Sequence, residues 1–347
     1  MSNKIEVYQQ LRPNDNYTYK LIQIPPQTIT HLQNSNNLQL KTTKENSNVL
    51  LTTTNKTFRM RQNNHSNTIL LMNHEFFGGG GSRLVGYDKC FYQYEINEIP
   101  GLINDELNIP ILENEKDIEK ISGRRVTKNE LFEKSPCSLE EFELKWIELN
   151  FIEFNSKVFK ISFSLITEIL FDLITYLIST KSTDYEFVKD EIVIDHLSIL
   201  VESIILKFTT EKNGKYKLNN EKIISWFGII ELTKSKQLKL NDFYLNWKNS
   251  LPSFYNFPLD LLQIKGNYVT YIHQNNQYIK YINPANLSKD VNLRFKQLLS
   301  IQSIWKYEEL CEFFDDFIKV GKKIDSTILK FGKKKKISGG KFIVTGR

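Results

Sequence analysis

The residue types best suited to metal or nucleophilic chemistry are five histidines and three cysteines: His31, His65, His74, His196 and His273, with Cys90, Cys137 and Cys311. Metal ligands carried by one helix or loop recur at short fixed spacings, and none of these histidines has a partner at such a distance. The cysteines are far apart, so they outline neither a disulfide framework nor a zinc site, and they fit a reducing compartment. His196 sits beside an apolar helical stretch, where a lone histidine is a structural residue. Gly78 to Gly81 resemble a phosphate loop only in their glycines. The Lys-Ser/Thr of a P-loop is missing, and no Gly-x-Gly-x-x-Gly register fits through Gly86, so the run reads as a flexible hinge. The adjacent acids Glu308-Glu309 and Asp315-Asp316 diverge on a helix and form no carboxylate dyad. No Ser/His/Asp or Cys/His set carries a local signature. The expectation is a protein that is not an enzyme and that needs no metal or cofactor.

Charge gives a clearer signal. The chain has 46 basic and 40 acidic residues, a net charge of +6. Residues 318–347 hold ten Lys/Arg against one acid, Asp325, a local charge of +9 that leaves −3 for the rest. A patch of this kind is the footprint expected for an anionic partner. Lys322, Lys323 and Lys330 flank a short helix whose apolar side is Ile324, Ile328 and Phe331. Lys333, Lys334, Lys335 and Lys336 form one strand of a hairpin, and Lys341 begins the next after a Ser338-Gly339-Gly340 turn. Clustered lysine neutralises phosphates rather than reading bases, so these eight lysines predict sequence-independent, salt-sensitive DNA binding.

The elements that position this patch follow from two textures. Hydrophobic residues make up 40% and charged residues 25%, values of a globular chain, and alanine occurs only at Ala285. The N-terminus has no signal-peptide core, and Phe163–Ile178 is interrupted by polar residues, so no membrane span is expected. Residues 1–100 read as a β domain. Short β-branched runs lie at Tyr17–Ile24, Leu38–Lys41, Val49–Thr53, Thr57–Arg61, Thr68–Met72 and Phe91–Ile96. Lys56–Arg61 and Thr68–Met72 are expected to form a hairpin turning at Ser66-Asn67. Six short strands suit an open sheet or barrel that another chain completes. Residues 101–126, with Pro100, Pro110 and Gly123 in and beside them, read as a linker.

From Thr127 the apolar period changes from 2 to 3.6. Thr127-Lys-Asn-Glu130 and Ser138-Leu-Glu-Glu141 match capping boxes. A helix with Leu139, Phe142, Trp146 and Leu149 on one face precedes a hairpin around Asn155-Ser156. An amphipathic helix through Ile166, Ile169, Leu170, Leu173, Ile174 and Leu177 follows. Helices and then a two-stranded wing make a winged helix, and the expected architecture is α+β with three in tandem, at 127–185, 186–284 and 285–347. In the second, helices at about 192–209, 219–230 and 240–249 precede a hairpin turning at Gln274–Asn276. In the third, helices at about 290–300, 306–319 and 323–331 precede the basic hairpin. Trp146, Trp226, Trp247 and Trp305, at helical spacing beside Leu and Phe, are core residues rather than base-stacking platforms.

Several ordered segments resemble one family, the sister chromatid cohesion subunit of the alternative, replication-factor-C-like clamp loader. They are Leu50-Leu51-Thr52, Lys56-Thr57-Phe58 and Ser66-Asn67 before Leu70-Leu71. Next come Trp247 to Pro252 with Leu259, Leu262 and Gly266. Arg294-Phe295, Leu298-Leu299, Trp305 and Glu309-Leu310 follow, and Leu329-Lys330-Phe331 with the terminal hairpin come last. The resemblance implies a non-catalytic nuclear protein in DNA replication and sister chromatid cohesion. It implies that the β domain, through Lys56, Thr57, Phe58, Ser66 and Asn67, joins the C-terminal tail of the loader's large subunit and a small third subunit in composite barrels. It further implies that the winged helices dock on the catalytic subunit of leading-strand DNA polymerase epsilon and on DNA while the sliding clamp is loaded or unloaded, with no membrane involved. The alternatives are a free-standing winged-helix DNA-binding regulator, and a protein-interaction array whose Lys333–Lys336 run serves only nuclear import.

Overall fold

The computed structural model describes residues 6–9, 17–34, 38–42, 49–77, 81–104, 107–121, 126–180, 186–235, 237–253, 255–288, 290–319 and 324–346. They form a mixed α+β protein with one larger sheet and four small ones. The chain divides into two compact units, Met1–Asn104 with Phe132–Phe142, and Asp105–Leu131 with Glu143–Arg347.

The first unit is built on one sheet. Its elements are β1 (Glu6–Gln9), β2 (Leu21–Gln23), α1 (Pro26–Gln33), β3 (Gln39–Lys41), β4 (Leu50–Thr52), β5 (Thr57–Phe77) and β6 (Gly81–Ile99). The order runs β3-β4-β5-β6, and β1 and β2 add to the far side of β6, both parallel to it. α1, which the strand pattern does not announce, starts at Pro26, where the fixed φ of proline suits the first turn. The expected hairpin at Ser66-Asn67 is corrected. β5 runs on as one 21-residue strand. The partner of Thr57–Arg61 is Glu95–Ile99 of β6, and Ile69–Leu71 pair with Asp88–Cys90. Ser66 and Asn67 fall in an irregularity between Asn64 and Ile69, where several residues of β5 oppose one of β6. A long-range partner of 19 residues outcompetes the local turn because it satisfies the whole strand's amides. Gly78 to Gly80, read as a hinge, lie outside the described residues.

The second unit repeats one topology. Its elements begin with β7 (Ile111–Leu112), the first part of α2 (Lys128–Glu133), the last part of α3 (Leu139–Glu148), β8 (Phe151–Phe154), β9 (Lys157–Ile161) and α4 (Phe163–Thr180). They continue with β10 (Glu186–Phe187), α5 (Ser198–Phe208), β11 (Thr209–Lys212), β12 (Lys215–Leu218), α6 (Asn220–Lys234), β13 (Leu238–Lys239), α7 (Leu240–Ser250), β14 (Tyr268–His273) and β15 (Asn276–Tyr281). Last come α8 (Val291–Ile301), β16 (Ile304–Lys306), α9 (Tyr307–Glu312), α10 (Asp315–Lys319), α11 (Ile324–Phe331), β17 (Gly332–Lys336) and β18 (Phe342–Gly346). In each of the four three-stranded sheets, the first strand in sequence is at one edge, the last is central and the middle one is at the other edge. The two later strands always form an antiparallel hairpin.

Residues 186–284 therefore contain two such sheets, where the sequence reading gives one hairpin. The extra hairpin turns at Asn213-Gly214, both at positive φ (54° and 76°). Residues 107–121, in the stretch read as a linker, supply β7 and bury Leu112 and Ile118.

α4 shows how packing holds this unit. Leu165, Ile166, Ile169, Leu170, Leu173, Ile174 and Leu177 are all buried, at the i, i+3, i+4 spacing of one helix face. Each contributes roughly 1.5–3 kcal/mol of burial. By length and composition α4 is apolar enough to cross a membrane, but that apolar face is part of a continuous core with Phe159, Phe208, Phe227 and Trp247. A second core gathers Phe295, Trp305, Phe314, Ile328 and Val344 around β16–β18.

Candidate partner and nucleic-acid interfaces

In the first unit the residues matched to a partner surface separate by burial. Thr57 and Phe58 are interior, at 0% and 1% exposure. The Thr57 hydroxyl donates to Glu141 Oε2 at 2.5 Å and accepts from the Ser138 amide at 2.9 Å. Glu141 Oε2 also takes the Ser138 hydroxyl at 2.7 Å, and its Oε1 takes the Gly101 amide at 2.8 Å. The Ser138 amide reaches Glu141 and the Glu141 amide reaches Ser138 Oγ, so the capping-box pattern read from sequence is formed. Lys56 is ion-paired with Glu98 at 2.9 Å, and Ser66 and Asn67 are exposed. Sequence reasoning missed Lys41. It is 9% exposed, lies 3.5 Å from the Phe132 ring centroid, and donates to the Cys137 carbonyl at 3.2 Å. Burial pushes its ammonium pKa down, against the opposing pull of Cys137 and Glu133.

The open feature of this unit is a strand edge. β4 covers β5 only at Thr57–Arg59, and the Met60 amide reaches the Val49 carbonyl. From Arg61 onward, among the described residues, β5 has β6 on one side and no strand on the other. Leu70 and Phe91, on this ribbon, are 56% and 53% exposed.

In the second unit, strand alternation sorts the C-terminal lysines. Lys333 and Lys335 point away from the core. Lys334 turns inward, pairs with Asp325 at 3.0 Å, and sits 3.5 Å from the Tyr307 ring centroid. Burial raises the Tyr307 phenol pKa, with a hydrogen bond to Cys311 and the charge of Asp325 adding to it. Lys330, Lys336 and Lys341 are exposed. Lys322 and Lys323 lie outside the described residues.

Other polar groups are engaged inside the unit. His196 Nδ1 is 2.9 Å from Glu115 Oε1 and its Nε2 is 3.0 Å from Asp172 Oδ2, with the side chain 7% exposed. Burial opposes its charge, but the hydrogen bonds to Asp172 and Glu115 prevail, and its pKa is raised. Lys207 donates to the Glu148 carbonyl at 2.8 Å and to Asn150 Oδ1, at the C-terminal end of α3. Burial lowers its pKa to about 8; Glu148 opposes that shift, and Lys222 and Lys160 reinforce it. No sequence spacing announces either group, because their partners are about 24 to 82 residues away along the chain. Trp247 and Trp305 are fully buried, each with its indole N–H on a main-chain carbonyl at 3.0 Å. Trp226 is half-buried, with its N–H on Thr167. Among the described residues no group of three or more His, Cys, Asp and Glu side chains is placed to hold a metal ion.

Among the described residues, one unit thus presents an open strand edge and the other lysine-bearing hairpins. The family model described as sister chromatid cohesion protein Dcc1 matches residues 19–314. A relative from Saccharomyces cerevisiae, the sister chromatid cohesion protein DCC1, is 28% identical over 378 residues, covering 96% of this chain and 98% of its own length. The chain belongs to the Dcc1 family of sister chromatid cohesion proteins. Its role is in sister chromatid cohesion, within a family of cohesion accessory proteins rather than a known enzyme family.

Proposed function

We propose that the chain is a non-catalytic subunit of an alternative, replication-factor-C-like clamp loader acting in the nucleus. It links the loader to the catalytic subunit of DNA polymerase epsilon and to DNA while the sliding clamp is loaded or unloaded. The observation that carries this reading is the edge of β5 from Arg61 to Phe77, which no strand among the described residues covers. A strand edge this long presents unpaired amides and carbonyls to any chain that can add a strand. The C-terminal tail of the loader's large subunit and its small third subunit would supply those strands and complete a barrel. Lys56 would lie beside this junction with Ser66 and Asn67, while Thr57 and Phe58 would support it from inside.

The repeated sheet order, with helices between its first and second strands, supports reading the second unit as tandem winged helices. On this reading there are four, one more than the sequence reading counts. The last offers Lys330, Lys333, Lys335, Lys336 and Lys341 to DNA phosphates, with Lys334 holding the wing in place. Co-expression of the full chain with the large-subunit tail and the small third subunit tests the assembly. A stoichiometric, salt-resistant complex is expected, weakened by Leu70→Glu. Failure of the folded chain to form any complex refutes the reading.

A further inference from the structure

We propose that the hairpin of β11 and β12 is a second contact for the phosphate backbone of duplex nucleic acid, separate from the C-terminal wing; this rests on the DNA-binding reading above. Cross-strand partners share a face, so the pairs Thr210–Lys217 and Lys212–Lys215 place three lysines on one side of the sheet. All three are exposed. The other side is the core side, with Thr209 and Leu218 buried and Tyr216 stacked on Phe187 at 6.0 Å. The lysine face therefore looks outward from a packed base.

Its charge is largely uncompensated. Lys212 and Lys215 stand directly opposite each other beside the tight Asn213-Gly214 turn, and neither has an ion-pair partner among the described residues. On this face Lys217 has an acidic partner, its cross-strand neighbour Glu186 at 4.0 Å, at the end away from the turn, while Glu211 lies on the other side of the sheet opposite Tyr216. Like charges directly opposed across a strand pair are destabilising, and an anion bridging them removes the penalty. A phosphate of a nucleic-acid backbone is such an anion, and the backbone supplies phosphates in a row that matches a row of lysines.

The four hairpins of this unit differ in their lysines. β17 presents Lys333 and Lys335 on its outer side in the same manner. In β8–β9, Lys157 is buried and donates to the Ile121 carbonyl at 2.6 Å. β14–β15 carries Lys280 as its lone lysine among aromatic and amide side chains. The outward lysine face is thus particular to two of the four hairpins, and it does not follow from the repeated topology alone.

The test uses the full chain and a short fluorescein-labelled duplex of arbitrary sequence, with affinity measured by anisotropy across a salt series. Each phosphate neutralised adds about 0.9 to the slope of log affinity against log salt. Lys212→Gln with Lys215→Gln removes the one bridged phosphate and is expected to reduce that slope by roughly 0.9. Lys212→Arg with Lys215→Arg is expected to keep it. Both pairs are exposed, so circular dichroism melting curves should be unchanged. If the wild-type chain binds and the glutamine pair leaves the slope intact, the second contact is overturned and the C-terminal wing stands. If the wild-type chain does not bind the duplex, the DNA-binding reading itself fails, and this inference with it.

Discussion

Replacing Glu141 by alanine should unfold the first unit more readily than any single surface change. Its carboxylate accepts from the Thr57 hydroxyl, the Ser138 hydroxyl and amide, and the Gly101 amide. Thr57 and Ser138 are 0% and 1% exposed, so water cannot take over these donors without opening the unit. A buried donor left without its partner costs about 1–3 kcal/mol. With the Gly101 amide and one hydroxyl stranded, the loss is about 2–6 kcal/mol. At roughly 4 °C per kcal/mol, the unfolding midpoint falls by about 8–24 °C. Glu141→Gln keeps the volume and one acceptor oxygen, and should lose about half as much. Urea unfolding gives the free energy, and hydrogen exchange at the Gly101 and Ser138 amides localises it. A Glu141→Ala chain within about 0.5 kcal/mol of wild type, the range of neutral surface changes, would refute the account of this network.

Other outcomes follow from single residues. His196 has a raised folded pKa, so its contribution is complete below about 6.5 and is lost as pH rises through the folded value. Urea unfolding from pH 5 to 9 should show this decline in wild type and not in His196→Phe. Lys207 has the opposite sign, since its pKa is lowered to about 8. Wild-type stability should rise between about pH 8 and 10.5 relative to Lys207→Met, and parallel curves would dismiss the shift. Gly228→Ala would place a Cβ 2.5 Å from Trp247 Cε2 and 2.9 Å from Ile264 Cγ2. Such overpacking costs about 1–3 kcal/mol, visible as a lower melting temperature. Lys335→Gln should lower the salt slope of DNA binding by about 0.9 with little effect on melting. Lys334→Gln should instead destabilise the wing by breaking its contacts with Asp325 and Tyr307.

Local chemistry made some of this legible in the sequence. Ser138 and Glu141 cap as their spacing indicates, because a capping box is satisfied within four residues. The periodic leucines and isoleucines of α4 are the ones buried. The hairpins turning at Asn155-Ser156 and Gln274–Asn276 form between the expected strands. Asn213-Gly214 is also a strong turn signal, but the apolar run before it extends a helix pattern to residue 209 and hides the strand that follows. The Ser66-Asn67 turn misled for the reverse reason. A polar pair between two β runs predicts a hairpin only while no better partner exists elsewhere in the chain.

What the sequence determined by itself was what neighbours along the chain can settle: the change from β to α texture, the caps, the helical faces, the basic C-terminus and the family. The tertiary structure alone decided which charges are available. Lys333, Lys334 and Lys335 are identical in type and adjacent in sequence, yet alternation sends two to solvent and one onto Tyr307 and Asp325. His196, Lys41 and Lys207 meet partners from distant segments that only folding brings within hydrogen-bond reach. The open edge of β5 is likewise a property of pairing. A strand's own residues do not record whether another strand lies beside it.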